Sequence, residues 1–298
     1  MVAASGRLRL SPTAVSHALA RLRRQLGDDL FVREPKRMRP TARALELLPA
    51  VQRALGGLEL ALGRHEFDPR QSPRTFFIGA SDYSCTLIIP RLIERLTSGA
   101  PEIEIAAVPA NRVDMIRQLD EGGVDVAIAW FATVPERFGR MKLFDESYVL
   151  AVREGHPLTR GRPTTSRVLG FGQVIVDYVG NADSVVDGFL PEHGVMRRVQ
   201  IDRVVLEAPQ RLGASVRIAA RVPSFCNLPP ILARSDLVAS VPRRLVGELS
   251  SAHDIVVVES PFDNTAVVVE AIWHRRSETD QGATWLRQHI ESIANTLR

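Results

Sequence analysis

Cysteine is nearly missing from this 298-residue chain. Only Cys85 and Cys226 are present, too few for a disulfide framework. Lysine is almost as scarce, at Lys36 and Lys142 alone, so nearly all the basic charge is arginine, which fits a GC-rich genome better than a special chemistry. No apolar run reaches the roughly 18 residues that a membrane span needs, so no membrane association is expected. The N-terminus has no apolar signal core, so a cytoplasmic protein is expected. The seven histidines are scattered, and none pairs with Cys, Asp or Glu at metal-ligand spacing. P-loop, G-x-S-x-G and G-x-G-x-x-G patterns are missing as well. No metal, no cofactor and no catalytic residue is expected, and the chain does not read as an enzyme. At 45% hydrophobic and 24% charged residues the composition is ordinary for a globular protein of two or three domains.

What is present is concentrated near the amino end. Residues 11–26, SPTAVSHALARLRRQL, read as a helix with Ser11 as N-cap and Pro12 in the first turn. Ala14, Val15, Ala18, Leu19, Leu22 and Leu26 form one apolar stripe. The other face carries Thr13, Ser16, His17, Arg21, Arg23 and Arg24, small hydroxyls followed by arginines. Such a face suits a DNA major groove, where hydroxyls approach base edges and arginines neutralise phosphates. An ordinary amphipathic surface helix fits the same spacing. The neighbours favour DNA. Residues 7–10 read as the end of a preceding helix joined by a tight turn, which is helix-turn-helix geometry. Gly27 reads as a helix stop, and residues 28–41 read as two short strands around a basic turn. Residues 1–43 hold ten Lys/Arg against three Asp/Glu, about +7, whereas the whole chain is +4. The remainder is therefore slightly acidic, and the positive charge is gathered at one end.

Residues 8–43, LRLSPTAVSHALARLRRQLGDDLFVREPKRMRPTAR, resemble the winged helix-turn-helix of LysR-type transcriptional regulators. The residues that carry the likeness are Leu10, Ser11, Ala14, Val15, Ser16, Leu22, Leu26, Gly27, Leu30, Phe31, Arg33 and Thr41. The LFVR wing and the RPTARALEL continuation are most similar to the branch that answers aromatic acids and flavonoids. In that family about twenty residues, including a first helix, precede the position of Leu8, so the chain is expected to be short by about one helix. The resemblance implies that Ser11, Pro12, Thr13, Ser16 and His17 approach base edges and nearby phosphates of double-stranded promoter DNA, and that Arg21, Arg33 and Thr41 hold its backbone. It implies homodimers paired through a linker helix, commonly assembled into tetramers through effector domains.

Domain boundaries follow from pattern. Residues 1–43 are the expected winged helix-turn-helix. Residues 44–73 are the expected linker helix and hinge, with Leu45, Leu48, Val51, Leu55, Leu58 and Leu62 at helical spacing. Pro49 and Gly56-Gly57 predict a kink or break. From Arg74 the pattern alternates strand and helix, so a mostly parallel sheet is expected. An effector lobe I is expected over 74–152 plus 266–298, and a lobe II over 153–265. The fold class is α/β, and two such lobes joined by crossing strands look like a periplasmic binding protein.

Ligands of open α/β sheets sit at the carboxyl ends of strands. Ser81, Asp82 and Tyr83 follow the first strand, Asn111 the second and Phe131 the third, and Phe225 and Asn227 lie in the matching segment of the second lobe. They are the expected contacts to a small-molecule effector, although Ser81 and Asn111 also read as helix caps and the two phenylalanines as core. Cys85 and Cys226 fall near the same cleft. A small-molecule-binding protein with no DNA role is the alternative, and an enzyme on the same lobes is a third reading. Neither explains the basic amino end.

Overall fold

A computed structural model of the chain describes residues 5, 11–34, 37–62, 67–110, 114–178, 189–199, 215–250, 254–262 and 266–297. Two compact units are present, Met1–Arg64 and His65–Arg298. The expected helix end at residues 7–10 and the basic turn at residues 35 and 36 lie outside the described residues.

In the first unit, helix α1 spans Pro12–Leu26. Ser11 is extended, and its hydroxyl accepts the Ala14 N–H at 3.2 Å. Gly27 ends the helix in the left-handed region at φ 63°, its N–H donating to the Arg23 carbonyl. Strands β1 (Phe31–Glu34) and β2 (Arg37–Pro40) pair antiparallel, Phe31 opposite Pro40. Arg23 fastens α1 to this wing by donating to the Asp29 carbonyl at 2.6 Å and the Phe31 carbonyl at 3.1 Å. Helix α2 runs unbroken over Ala42–Leu62. Of the kink or break expected at Pro49 and Gly56-Gly57, the break does not occur. A proline removes one N–H from the helical ladder, and the surrounding Ala, Leu and Glu are strong helix formers.

The second unit holds two five-stranded sheets. The first contains β3 (Thr75–Ala80), β4 (Glu104–Pro109), β5 (Val126–Ala129), β7 (Phe138–Glu146) and β15 (Val267–His274), in the order β4-β3-β5-β15-β7. The second contains β8 (Tyr148–Arg153), β9 (Gln173–Val176), β12 (Ile218–Val222), β13 (Val238–Pro242) and β14 (Ile255–Val258), in the order β12-β9-β13-β8-β14. In each sheet four strands run the same way and one runs against them, β15 in the first and β8 in the second, so the sheets are mostly parallel as expected, with a single reversed strand in each. Strands buried on both faces read as the same apolar run in either direction.

Two further differences concern the lobe boundary. Strand β8, expected in lobe I, is hydrogen-bonded between β13 and β14 of the second sheet, so the chain crosses at Ser147. Strands β10 (Phe189–Glu192) and β11 (Val195–Arg198), expected in lobe II, form a hairpin that adds to β6 (Phe131–Thr133), the strand that follows β5 of the first sheet. Its turn is His193-Gly194, both at positive φ, 46° and 85°.

Helix α3 (Asp82–Gly99) follows β3, and helix α4 (Met115–Glu121) follows β4. Asp114 caps α4 by accepting the Arg117 N–H; the expected cap, Asn111, lies outside the described residues. Helices α5 (Thr165–Leu169), α6 (Leu228–Leu232) and α7 (Arg243–Ser250) accompany the second sheet, and α8 (Gln281–Thr296) closes the chain. One apolar cluster includes Phe76, Ile78 and Leu92 of the first lobe with Val149, Val174 and Phe225 of the second. Smaller clusters line the far face of each sheet.

A fully buried carboxylate holds the crossing. Glu146 accepts the Tyr83 hydroxyl, the Ser147 N–H at 2.9 Å and Arg244 at 3.3 Å. Arg244 also donates to the carbonyls of Asp145 and Leu297. Burial and the Glu146 charge push the Tyr83 phenol far above its ordinary value, so it stays a donor. Removing one member strands the others. Glu146→Ala is expected to lower stability by about 3 kcal/mol in urea unfolding. On β7, Gly139 lies directly opposite Trp273, and a Cβ there would overlap the indole ring. Gly139→Ala is expected to cost about 1–3 kcal/mol in the same measurement.

Candidate functional site

In the amino-terminal unit α1 is open to solvent, its apolar Leu22 and Leu26 included. Ser11, Pro12, Thr13, Ser16, His17 and Arg21 are all exposed, and no α1 side chain is buried. These six candidates are therefore all open to solvent in the unit that carries the β1–β2 wing. Thr41 is engaged differently. Its hydroxyl donates to Asp28 at 2.7 Å and accepts the Ala44 N–H at 3.1 Å, so it caps α2. The Thr41 hydroxyl, with the Leu30 N–H, holds the Asp28 carboxyl below its ordinary value. The backbone of Arg33 is in β1, but its side chain lies outside the described residues.

The effector candidates converge in part. Ser81 caps α3 through the Ser84 N–H, and Asp82 opens the helix. The Asp82 carboxylate reaches into the second lobe. Its Oδ1 accepts the Tyr178 hydroxyl at 2.6 Å, and its Oδ2 accepts the Ser224 hydroxyl and the Phe225 N–H, each at 2.6 Å. Oδ1 also accepts the Tyr83 N–H of its own helix at 2.9 Å. Tyr178 follows β9 and Ser224 follows β12, so three strand ends from two sheets meet at one carboxylate. Burial, then the Asp82 charge, raises the Tyr178 phenol well above its ordinary value and keeps it a neutral donor.

The side chains of the other candidates do not join this group. The Tyr83 side chain turns to Glu146 and packs at a tilt against Trp130, ring centroids 5.1 Å apart, and the indole N–H of Trp130 has no partner among the described residues. Phe225 is fully buried, edge-on to Tyr178 at 6.2 Å. Phe131 packs with Met115, Phe138 and Val195 on the far face of the first sheet. Asn227 is exposed and makes no capping bond to α6. Asn111, as said above, lies outside the described residues. Cys85 is half-buried, its thiol raised by burial and then by the Asp82 charge, while Cys226 is exposed. Sequence reasoning missed Tyr178 as a site residue, while Ser224 lies in the second-lobe segment, with Phe225 and Asn227, that was expected to face the cleft. The strand-end rule that selected Ser81 applies equally to both.

Comparison with known proteins identifies the family of both parts of the chain. Residues 1–45 match the family model described as a bacterial regulatory helix-turn-helix protein of the lysR family, and residues 69–294 match the LysR substrate binding domain. The chain is 32% identical to the HTH-type transcriptional activator NahR of Pseudomonas putida, over 94% of this chain and 88% of that protein. It is 31% identical to the HTH-type transcriptional activator NagR of a Ralstonia species, over 96% and 89%. Among solved structures, a "probable transcriptional regulator" of Pseudomonas aeruginosa superposes with a TM-score of 0.70 at 28% identity, covering 97% of this chain and 90% of that one. The helix-turn-helix match sets aside a binding protein without a DNA role. With a winged helix-turn-helix and a two-lobed α/β effector domain, the chain belongs to the LysR family of transcriptional regulators.

Proposed function

We propose that two copies of this chain pair along α2 and set two α1 helices into major grooves of promoter DNA, about one helical turn apart or a multiple of that. The observation that carries this reading is the α1 face itself. Thr13, Ser16 and His17 stand exposed at the amino end of a helix flanked by an antiparallel wing. Ser11 and Pro12 begin that face, and Arg21 and Arg33 supply phosphate contacts, with Thr41 fixing the start of α2 beside them. Pairing is supported by the apolar stripe of α2. Leu45, Leu48, Val51 and Leu55 are each half-exposed, a costly arrangement for a helix left alone in water. Further pairing of effector domains extends the dimer to a tetramer. The protein works in the cytoplasm and carries out no catalysis.

The signal is a small molecule bound between the lobes, at the strand ends where Ser81, Asp82, Phe225 and their neighbours meet. Resemblance to the aromatic-responsive branch supports an aromatic acid or a flavonoid as its class. Such a ligand acts by its differential affinity for two lobe arrangements.

Gel-shift titrations against DNA upstream of the reading frame check the DNA half. Affinity is expected to fall steeply with salt, and Arg21→Ala to weaken all sequences alike and to reduce the log–log salt slope by about 1. A flat salt dependence would defeat this reading. Leu48→Asp combined with Leu55→Asp is expected to yield monomers in sedimentation and to lose specific DNA binding.

A further inference from the structure

Asp82 behaves as a ligand of the opposite lobe. Two side-chain hydroxyls and one backbone N–H of the second lobe converge on its two oxygens at 2.6 Å, the short distances of hydrogen bonds to a charged acceptor. These donors come from Tyr178, Ser224 and Phe225, in two separate stretches of chain. No helix N-terminus of useful length contributes, because Phe225 opens only a three-residue turn. We propose that Tyr178 Oη, Ser224 Oγ and the Phe225 N–H form a carboxylate seat on the second lobe, that Asp82 fills it when no effector is bound, and that the carboxylate of the effector takes it by displacing Asp82.

The exchange is balanced by construction. Displaced from the seat, the Asp82 carboxylate keeps the Tyr83 N–H and the positive end of the 18-residue helix α3. The incoming carboxylate gains the three donors that Asp82 gives up. Asp82 is tethered, so its effective concentration at the seat is on the order of millimolar or more. A carboxylate alone competes poorly against it. A carboxylate joined to an apolar body adds apolar burial of its own at the lobe junction, and that addition tips the exchange. Losing Asp82 from the seat removes its hydrogen bonds between the lobes, so occupancy is coupled to lobe arrangement. This rests on the reading that the effector enters between the lobes, and it specifies the ligand as an apolar carboxylate.

Calorimetry on the full chain tests it with benzoate as the probe. Asp82→Asn removes the competing charge and keeps the shape. Benzoate is expected to bind this variant about tenfold or more tighter than the wild type, and the gain to vanish when Ser224→Ala is added. Chemical rescue supplies a second measurement. Asp82→Ala is expected to melt lower than the wild type and to recover in acetate but not in chloride of equal ionic strength, while the wild type shows no acetate-specific shift. Unchanged benzoate affinity in Asp82→Asn, or acetate stabilising wild type and Asp82→Ala alike, overturns the seat. If benzoate binds Asp82→Asn more tightly yet leaves DNA binding unaltered, the seat stands and the effector reading falls.

Discussion

Glu146 is a charge with no access to solvent, and it lies one residue before the chain leaves the first sheet for the second. A carboxylate in that position is tolerable only if its oxygens are met by donors, and the donors come from far apart. Tyr83 reaches it from the first turn of α3, Ser147 from the crossing and Arg244 from the start of α7. The last residues of β7, the start of α3 and the second lobe are thereby held to one another. The apolar cluster shared by both lobes supplies the bulk of the attraction, but it has no direction of its own. The hydrogen bonds to Glu146 specify which packing is adopted.

That alignment has a functional consequence one residue from Tyr83. With the side chain of Tyr83 anchored inward, Asp82 is turned outward to the second lobe, where the ends of β9 and β12 present their donors. A buried carboxylate and a half-buried one thus serve neighbouring residues of one helix start. The first is enclosed by packing. The second is held by hydrogen bonds alone, and such a contact exchanges partners far more readily than a packed core rearranges. On the reading proposed above, the lobes keep their shape while this junction is what an effector competes for.

Much of this was legible from local pattern. Ser11 before Pro12 marked the start of α1, Gly27 its end, and the alternation around residues 31–40 the wing, because caps and left-handed glycines act within a few residues. The strand-end rule picked out Ser81 and Asp82 as candidates. It did not reveal that Asp82 is already occupied, since its partners lie 96 and 142 positions away in sequence. The structure shows the hydroxyl and N–H donors of the second lobe already taken by the Asp82 carboxylate. Phe131 and Phe225 read as candidate walls of a cleft and are buried in core clusters, because an aromatic ring looks the same in sequence whether it lines a pocket or fills one.

Residue order alone determined the reader at the amino end, its charge, the unpartnered apolar stripe of α2 and the α/β character of the remainder. Each of these depends on spacing within one helix or strand. Tertiary structure decided that β8 belongs to the second sheet, that the hairpin Phe189–Arg198 extends the first lobe, and that Tyr178 and Ser224 share a carboxylate with α3. Those choices are set by which distant strand ends come together once two sheets bury a common core, and no local periodicity encodes them.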